Sequence, residues 1–249
     1  MGIREEFEKE GNWLFRYRSH LPLLAIPLVL AALRHSEFLE RVGHKHLQTY
    51  WEVFCVAVSY LGFVVRCLTL GSVPEGTSGR NTKGQLAEVM NTTGMYSVVR
   101  HPLYLGNFLI TFGIILFFQV WWFAVMGVLI FWLYYERIMF AEEEFLRKKF
   151  GEDFVKWSEK TPAFIPDFAK WKKPRLPFSW KMVLKREYSG FLGIIVAFVS
   201  IKFCADFLAE NELVFRKSSI AFLAFGFIVY FTLLFLRKKT KLLHIEKRS

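Results

Sequence analysis

Only three cysteines occur in the chain, and none stands in a C-x-x-C pair. Cys55, Cys67 and Cys204 fall inside apolar stretches, so they read as buried free thiols with no disulfide framework. A Gly-rich strand-to-helix fingerprint and any βαβ alternation are missing, which excludes a Rossmann-type nucleotide domain. Gly79 and Gly84 have the spacing of a phosphate loop, but Gln85 and Leu86 stand where Lys and Ser/Thr are required. The turn-rich stretch 71–84 therefore reads as a flexible loop able to close over a ligand. No metal set is apparent: His44 and His46 form a bare H-x-H that reads as solvated, and no metal is expected. The N-terminus mixes both charge signs (Arg4, Glu5, Glu6, Glu8, Lys9, Glu10) and lacks a small-residue cleavage site, so no removable signal peptide is expected. Internal repeats are absent.

Apolar and aromatic side chains, by contrast, are in surplus. Of the 249 residues 53% are hydrophobic and 18% aromatic, with 28 Phe and 8 Trp, and they are gathered in blocks. A bilayer is the solvent that such blocks suit. The net charge of +11 lies between the blocks and not along one helix face. That pattern fits anionic lipid headgroups and argues against nucleic acid as a partner.

About 20 apolar residues cross a bilayer core. Residues 50–70 form the clearest span, interrupted by Glu52 and Arg66. Residues 103–135 are too long for one span and divide at Gln119 into a tight hairpin, expected to pack through Gly106, Gly113 and Gly127. Two further spans are expected at 189–208 and 218–236. The first block, 21–33, carries Pro22 and Pro27 and fits either a span or a re-entrant helix. The expected fold is thus all-α, a multi-pass transmembrane helical bundle of five to six spans. With six spans, one side receives 26 Lys and Arg and the other 5. The positive-inside rule then puts both termini in the cytoplasm.

Outside the spans, residues 137–160 read as one helix leaving the membrane. Leu146, Phe150, Phe154 and Trp157 make its apolar stripe, and Arg147 to Lys149, Glu152, Asp153 and Lys156 its charged face. Pro162, Pro166, Pro174 and Pro177 then break regular structure, and Trp171 and Trp180 among Lys and Arg read as interfacial anchors. The core is expected to cover 1–175, with 176–249 as an extension bearing the last two spans.

Two polar clusters carry the chemistry. Gly94-Met-Tyr96-Ser-Val-Val-Arg100-His101-Pro102-Leu103-Tyr104-Leu-Gly106 stands where the third span begins, and Glu142-Glu143-Glu144 where the fourth leaves. Nearly equal hairpin arms return the second cluster close to the first. Each alone is compatible with a topology anchor or a solvated face, since Pro at a first helical turn is ordinary. Charged groups gathered at one membrane level are nevertheless a site by default.

Together, Gly94, Tyr96, Arg100, His101, Pro102, Tyr104 and Gly106, then Glu142, Glu143 and Leu146, then Phe150-Gly151 and Phe164-Ile165-Pro166, resemble the isoprenylcysteine carboxyl methyltransferase and phospholipid methyltransferase superfamily. The resemblance covers 50–166; Phe154 departs from it, relatives often carrying Tyr there. It implies S-adenosylmethionine as cofactor, in a cytoplasm-facing pocket, and a lipid or lipidated acceptor. Tyr96, His101, Pro102, Leu103, Tyr104 and Gly106 would line the cofactor pocket. Glu142 and Glu143 would bind its ribose or methionine end or position the acceptor. Arg100 would hold an acceptor anion or the cofactor carboxylate, and Arg100, Glu143 and Tyr104 are the expected catalytic residues. An anionic oxygen, carboxylate or lipid phosphate, suits such a site, because charge is annihilated as the methyl moves and a dry cleft favours that. An amine acceptor stays compatible if a base removes its proton. Two other classes fit a multi-pass chain: an NADPH-dependent membrane reductase, and a transporter or scaffold. Nicotinamide binding would mark the first, and a polar path through the spans the second.

Overall fold

The computed structural model describes residues 2–18, 20–36, 45–74, 85, 87–210, 216–240 and 242–243. His44 and most of the 71–84 loop, including both its inner glycines, lie outside them. Among the described residues the fold is helical, with nine α-helices, no strands and a single isolated bridge between Gly94 and Lys172. They are α1 (Ile3–Tyr17), α2 (Ile26–Leu33), α3 (Lys45–Gly71), α4 (Met95–Val98), α5 (Pro102–Phe117), α6 (Trp121–Phe150), α7 (Glu152–Lys160), α8 (Trp180–Glu210) and α9 (Lys217–Lys239). Four of these carry stretches long and apolar enough to cross a membrane, within α3, α6, α8 and α9; α5 and the segment Leu23–Leu33 are shorter and apolar. Outward-facing Phe54, Leu61, Val64, Leu129, Leu133, Phe225, Ile228, Phe231 and Phe235 are exposed on these helices. In water such a surface would aggregate; in a bilayer it is the lipid-facing wall of a membrane protein.

α5 and α6 form the expected hairpin. It turns at Gln119, which takes a left-handed φ of 59°. The glycines do not all serve it. Only Gly127 meets the hairpin partner, at Ile115. Gly106 and Gly113 face α3 instead, where a Cβ on Gly106 would lie 2.5 Å from Arg66 Cγ and 2.8 Å from the Gly62 carbonyl. Gly62, on α3, completes the close approach, its own Cβ position being 2.5 Å from the Gly106 carbonyl. Trp51 Nε1 and Ser59 Oγ donate to the carbonyls of Leu116 and Ile110, both at 2.9 Å, along the same seam. Small residues let backbones approach where lipid supplies no hydrophobic drive between helices, so α5 sits against α3 more intimately than against its sequence neighbour.

The helix expected over 137–160 is two. Its first half continues the fourth span as part of the 30-residue α6, and the break falls at Gly151, with φ 55° and ψ −128°. That backbone region suits glycine, so the residue after Phe150 sets the bend into α7. The first block resolves as a 3-10 turn, Leu21–Ala25, followed by α2. Ala32 and Leu33 pack with Phe118, Val120 and Phe123 at the hairpin turn, whereas α1, just before the block, packs on the other end of α6. By these contacts the block runs the depth of the bundle.

Charges inside the spans are paired. Arg66 grips Glu187 of α8 through two hydrogen bonds of 2.9 and 2.7 Å and donates to Asn107 of α5 at 2.6 Å. Lys202 of α8 meets Glu52 of α3 at 2.9 Å. The two pairs, about 21 Å apart along α3 at 1.5 Å per residue, clamp α3 and α8 antiparallel. Between them Cys55, Ile194 and Phe198 form a buried cluster. Contacts thus cross residue 175, and α9 packs on α8 through Tyr188–Tyr230 and Phe191–Phe225. All three cysteines are free, but only Cys55 is buried; Cys204 is exposed, on an outer face of its apolar span.

Breaking a buried ion pair from one side strands the other charge, a loss of about 3–5 kcal/mol, whereas apolar replacement of both partners is often close to neutral. Glu187→Ala should therefore lower the melting temperature of the detergent-purified protein markedly, and Glu187→Leu with Arg66→Met should recover most of it. Equal melting of the two variants would show that the clamp contributes nothing.

Candidate active site

The Arg100–His101 corner is held by chain that has no helix of its own. Gly94 adopts φ 61° and ψ −135° and starts α4. From there the backbone runs beside the proline-rich segment 161–175. Arg100 and His101 donate their amides to the carbonyls of Pro162 (2.8 Å) and Ala163 (3.3 Å), and Asp167 donates its own to Val98 (2.9 Å). Gly94 donates to Lys172 and Lys172 in turn to Ser97 Oγ, both at 2.9 Å. Phe164 wedges between Phe108 and Trp132. The Phe-Ile-Pro element thus frames the corner, and Pro102 opens α5 where no amide donor is needed.

α6 brings the carboxylates to this corner. His101 Nε2 lies 2.8 Å from Glu143 Oε1, and Arg100 Nε 2.9 Å from the same oxygen, an ion contact not aligned as a hydrogen bond. Arg100 Nη1 donates to the Ser158 carbonyl of α7 at 2.6 Å. Glu142 is more open, its Oε2 3.9 Å from His101 Nδ1. Tyr104 stacks on His101 (centroids 5.7 Å apart) and meets Tyr135 at 5.0 Å. Asn107 donates to the Tyr135 hydroxyl at 3.1 Å, which ties the aromatic group back to Arg66.

These side chains line a cavity of about 580 Å³. Tyr96, Arg100, His101, Pro102, Leu103, Tyr104, Glu142 and Glu143 all border it. Gly106 does not: it is taken up by the α3 crossing, because its missing side chain is what admits the Arg66 stem. Glu144 does not either. It is buried and gripped by Arg4 through hydrogen bonds of 3.1 and 2.7 Å, which raise the pKa of the Arg4 guanidinium.

Several lining residues were not among the expected site residues. Gln85, Ala87, Val89, Met90 and Asn91, which follow the glycine-rich loop, also line the cavity. Arg66, Lys185, Arg186, Glu187 and Arg237 come from α3, α8 and α9. Phe15 and Arg18 belong to α1 and the residue after it. The charges of α1, used in sequence only to argue against a signal peptide, strap it to α6: Arg4 to Glu144, Glu8 to Lys148 (2.5 Å) and Glu10 to Arg137 (3.2 Å). Phe7 sits under the Arg137 guanidinium and edge-on to Phe140. The spacing Phe7, Gly11, Leu14, Phe15 is the signal that could have revealed this inward face. Among the described residues no group of three or more His, Cys, Asp and Glu could hold a metal ion.

Gly11 is the contact point of α1, where a Cβ would strike the Arg137 carbonyl. Gly11→Val should lift α1 from α6, and limited proteolysis near the N-terminus should quicken several-fold while the spans stay inserted. Unchanged cleavage would mean that the strap does not hold α1.

Against known proteins, residues 52–153 match the sequence model of a phospholipid methyltransferase family. The chain is 28% identical to the nickel-cobalt-cadmium resistance protein NccN of Alcaligenes xylosoxydans xylosoxydans over 62% of this chain and 67% of that one. It is 28% identical to the cobalt-zinc-cadmium resistance protein CzcN of Cupriavidus metallidurans, over 62% of this chain and 66% of that one. It is also 29% identical to the protein-S-isoprenylcysteine O-methyltransferase of Schizosaccharomyces pombe, over 30% of this chain and 32% of that one. The matched stretch thus spans about two thirds of the bacterial relatives and a third of the yeast one. No solved structure matches.

Proposed function

We propose, from the premise that residues 52–153 are a domain of the phospholipid methyltransferase family, that this membrane protein transfers a methyl group from S-adenosylmethionine to an anionic oxygen, carboxylate or lipid phosphate, of a lipid or lipidated acceptor. The observation that carries the reading is the Arg100–Glu143–His101 cluster lining an aromatic-walled cleft. A cavity of about 580 Å³ lies in the range of cofactor sites. Its donor set suits a cationic, ring-bearing group: Tyr96, Tyr104, Tyr135 and Trp157 offer ring faces, and Glu142 offers a carboxylate with room beside it. S-adenosylmethionine, when bound, supplies an electrophilic methyl group on a sulfonium centre.

This chain's residues would orient the reactants and keep water out. Glu143 serves as the positioning residue, holding Arg100 and His101 to one oxygen so that both present fixed faces. The Ser158 carbonyl fixes the Arg100 fork from α7. A guanidinium held so can grip one oxygen of an anion and leave another to react. Tyr104 packs the floor between His101 and Tyr135 and excludes water, which strengthens every charge interaction above it. No general base is required for an anionic acceptor.

Two relatives are named for metal resistance, but the metals of those names are not carried over. The cleft carboxylate Glu143 is already committed to Arg100 and His101. The bacterial relatives and the charge asymmetry of the loops support residence in a bacterial inner membrane, with both termini cytoplasmic. A reporter fused after Ser249 should give a cytoplasmic signal; a periplasmic one overturns that orientation.

The test of the function is binding and turnover. The purified protein should bind S-adenosylmethionine in the presence of chelator and label a membrane lipid or lipidated protein with a radioactive methyl group. Arg100→Lys keeps the charge and loses the fork, so activity should fall at least about tenfold, the equivalent of one misplaced charge-assisted hydrogen bond of roughly 1.5–3 kcal/mol. Glu143→Gln should lose activity similarly, and Glu152→Gln, on the exposed face of α7, almost none. Wild-type turnover by both Arg100→Lys and Glu143→Gln would sink the assignment, as would tight NADPH binding in place of S-adenosylmethionine.

A further inference from the structure

The stretch from Thr161 to Lys181 has two working edges. Its inner edge is backbone: the carbonyls of Pro162, Ala163 and Lys172 accept from Arg100, His101 and Gly94, and the Asp167 amide donates to Val98. Its outer edge is side chains. Ile165 is 80% exposed and Trp180 70%, and Phe168, Trp171 and Phe178 are exposed as well. Lys170, Lys172, Lys173, Arg175 and Lys181 are exposed among them. The stretch holds one carboxylate, Asp167, and Lys170 meets it at 3.1 Å. Large apolar groups and an excess of cations thus share the outward edge.

The level of this edge says what covers it. Phe164 packs edge-on to Phe108, which lies about 9 Å into α5 at 1.5 Å per residue. Trp132 of α6, itself an outward-facing ring, meets Phe164 as well. Ile165 therefore stands beside the apolar walls of two helices, where the bundle enters lipid. Further along, Phe178 fills the space that a side chain on Gly71, the last residue of α3, would occupy. The Ser179 amide donates to the Gly71 carbonyl at 2.8 Å, and Trp180 begins α8. The stretch thus runs across one end of the bundle, with its cations at headgroup level. Aromatic rings and Lys or Arg so placed suit an anionic lipid surface. Facing water, rings as large as Phe168 and Trp180 would stay uncovered.

We propose that residues 165–181 are a docking surface for anionic lipids of the leaflet they face, and that lipid held there stiffens the frame of the Arg100–His101 corner. Two tryptophan anchors are legible in the sequence; the structure adds that the anchored chain and the corner share backbone hydrogen bonds. Pro166, Pro174 and Pro177 keep this chain from relaxing into a helix, so motion lost at its outer edge is lost at the shared bonds too. Nothing in the proposal depends on what the cleft binds.

Hydrogen exchange of the full-length protein in lipid nanodiscs tests this without turnover. Bilayers of phosphatidylcholine alone are compared with bilayers containing phosphatidylglycerol as well. The amides of Arg100, His101 and Asp167 should exchange about fivefold more slowly in the anionic bilayer, and high salt should remove most of that difference. Lys173→Gln with Arg175→Gln and Lys181→Gln should erase the difference, and Lys173→Arg with Lys181→Arg should keep it. The control, Lys9→Gln with Lys238→Gln and Lys239→Gln, removes three exposed cations elsewhere and should also keep it. Lys173→Gln alone should lose about twofold of the slowing. It decides the matter if the triple variant exchanges faster than the wild type even in phosphatidylcholine.

Equal exchange at these amides in the two bilayers would overturn the proposal, as would equal losses in triple variant and control. Slowing within 165–181 but not at Arg100 and His101 would overturn the link to the corner and leave the lipid surface standing. S-adenosylmethionine binding, measured on the same discs, judges the methyl-transfer reading separately.

Discussion

Arg66 is the residue on which the rest of this structure converges. A guanidinium inside a membrane span is tolerated only with partners, and here it has three kinds. Its stem fills the space opened by Gly106, its fork closes on Glu187, and its remaining arm reaches Asn107. Those contacts set α3 against α5 and against α8, and through Asn107 they reach Tyr135 and the aromatic floor of the cleft. Helix packing and site geometry therefore depend on one side chain. The Glu52–Lys202 pair acts as its counterpart at the far end of the same two helices and holds their antiparallel register.

The corner that carries Arg100 and His101 follows a different logic. Irregular backbone at membrane level needs hydrogen-bond partners from the protein, because lipid offers none. The proline-rich segment 161–175 supplies them and cannot itself become a competing helix. A rigid frame of backbone contacts then leaves the Arg100 and His101 side chains free to turn toward α6, where Glu143 gathers both.

Much of this was legible in the sequence where the signal was local. Apolar blocks marked the spans, Gln119 marked the hairpin turn, and near-equal arms foretold that Glu142 and Glu143 would meet Arg100 and His101. Interactions between distant segments were not legible. A glycine announces close approach without naming its partner, so Gly106 and Gly113 were assigned to the hairpin when Gly62 and Ser59 on α3 receive them. The charges of α1 gave no sign of a structural role because their partners, Lys148, Arg137 and Glu144, lie well over a hundred residues away. A helix period also runs through Gly151 unbroken, since periodicity cannot register one residue with positive φ.

The depth of the cleft gives the arrangement its chemical sense. Tyr104, Asn107, Tyr135 and Ile138 belong to the apolar helices α5 and α6, whereas Gln85, Ala87, Val89, Met90, Asn91 and Trp157 lie outside them, and all border one cavity. On the reading proposed above, a water-soluble donor and a membrane-bound acceptor must meet without either leaving its phase, and only a cavity straddling the boundary allows that. Straddling also grades the surroundings, dry at the aromatic floor and wetter toward the loop side. Attraction between opposite charges strengthens toward the dry end, so a cation and an anion entering from different sides are drawn together most strongly at Tyr104 and Arg100. Entry on the loop side is then screened by solvent, and the reacting atoms meet where that screening is weakest.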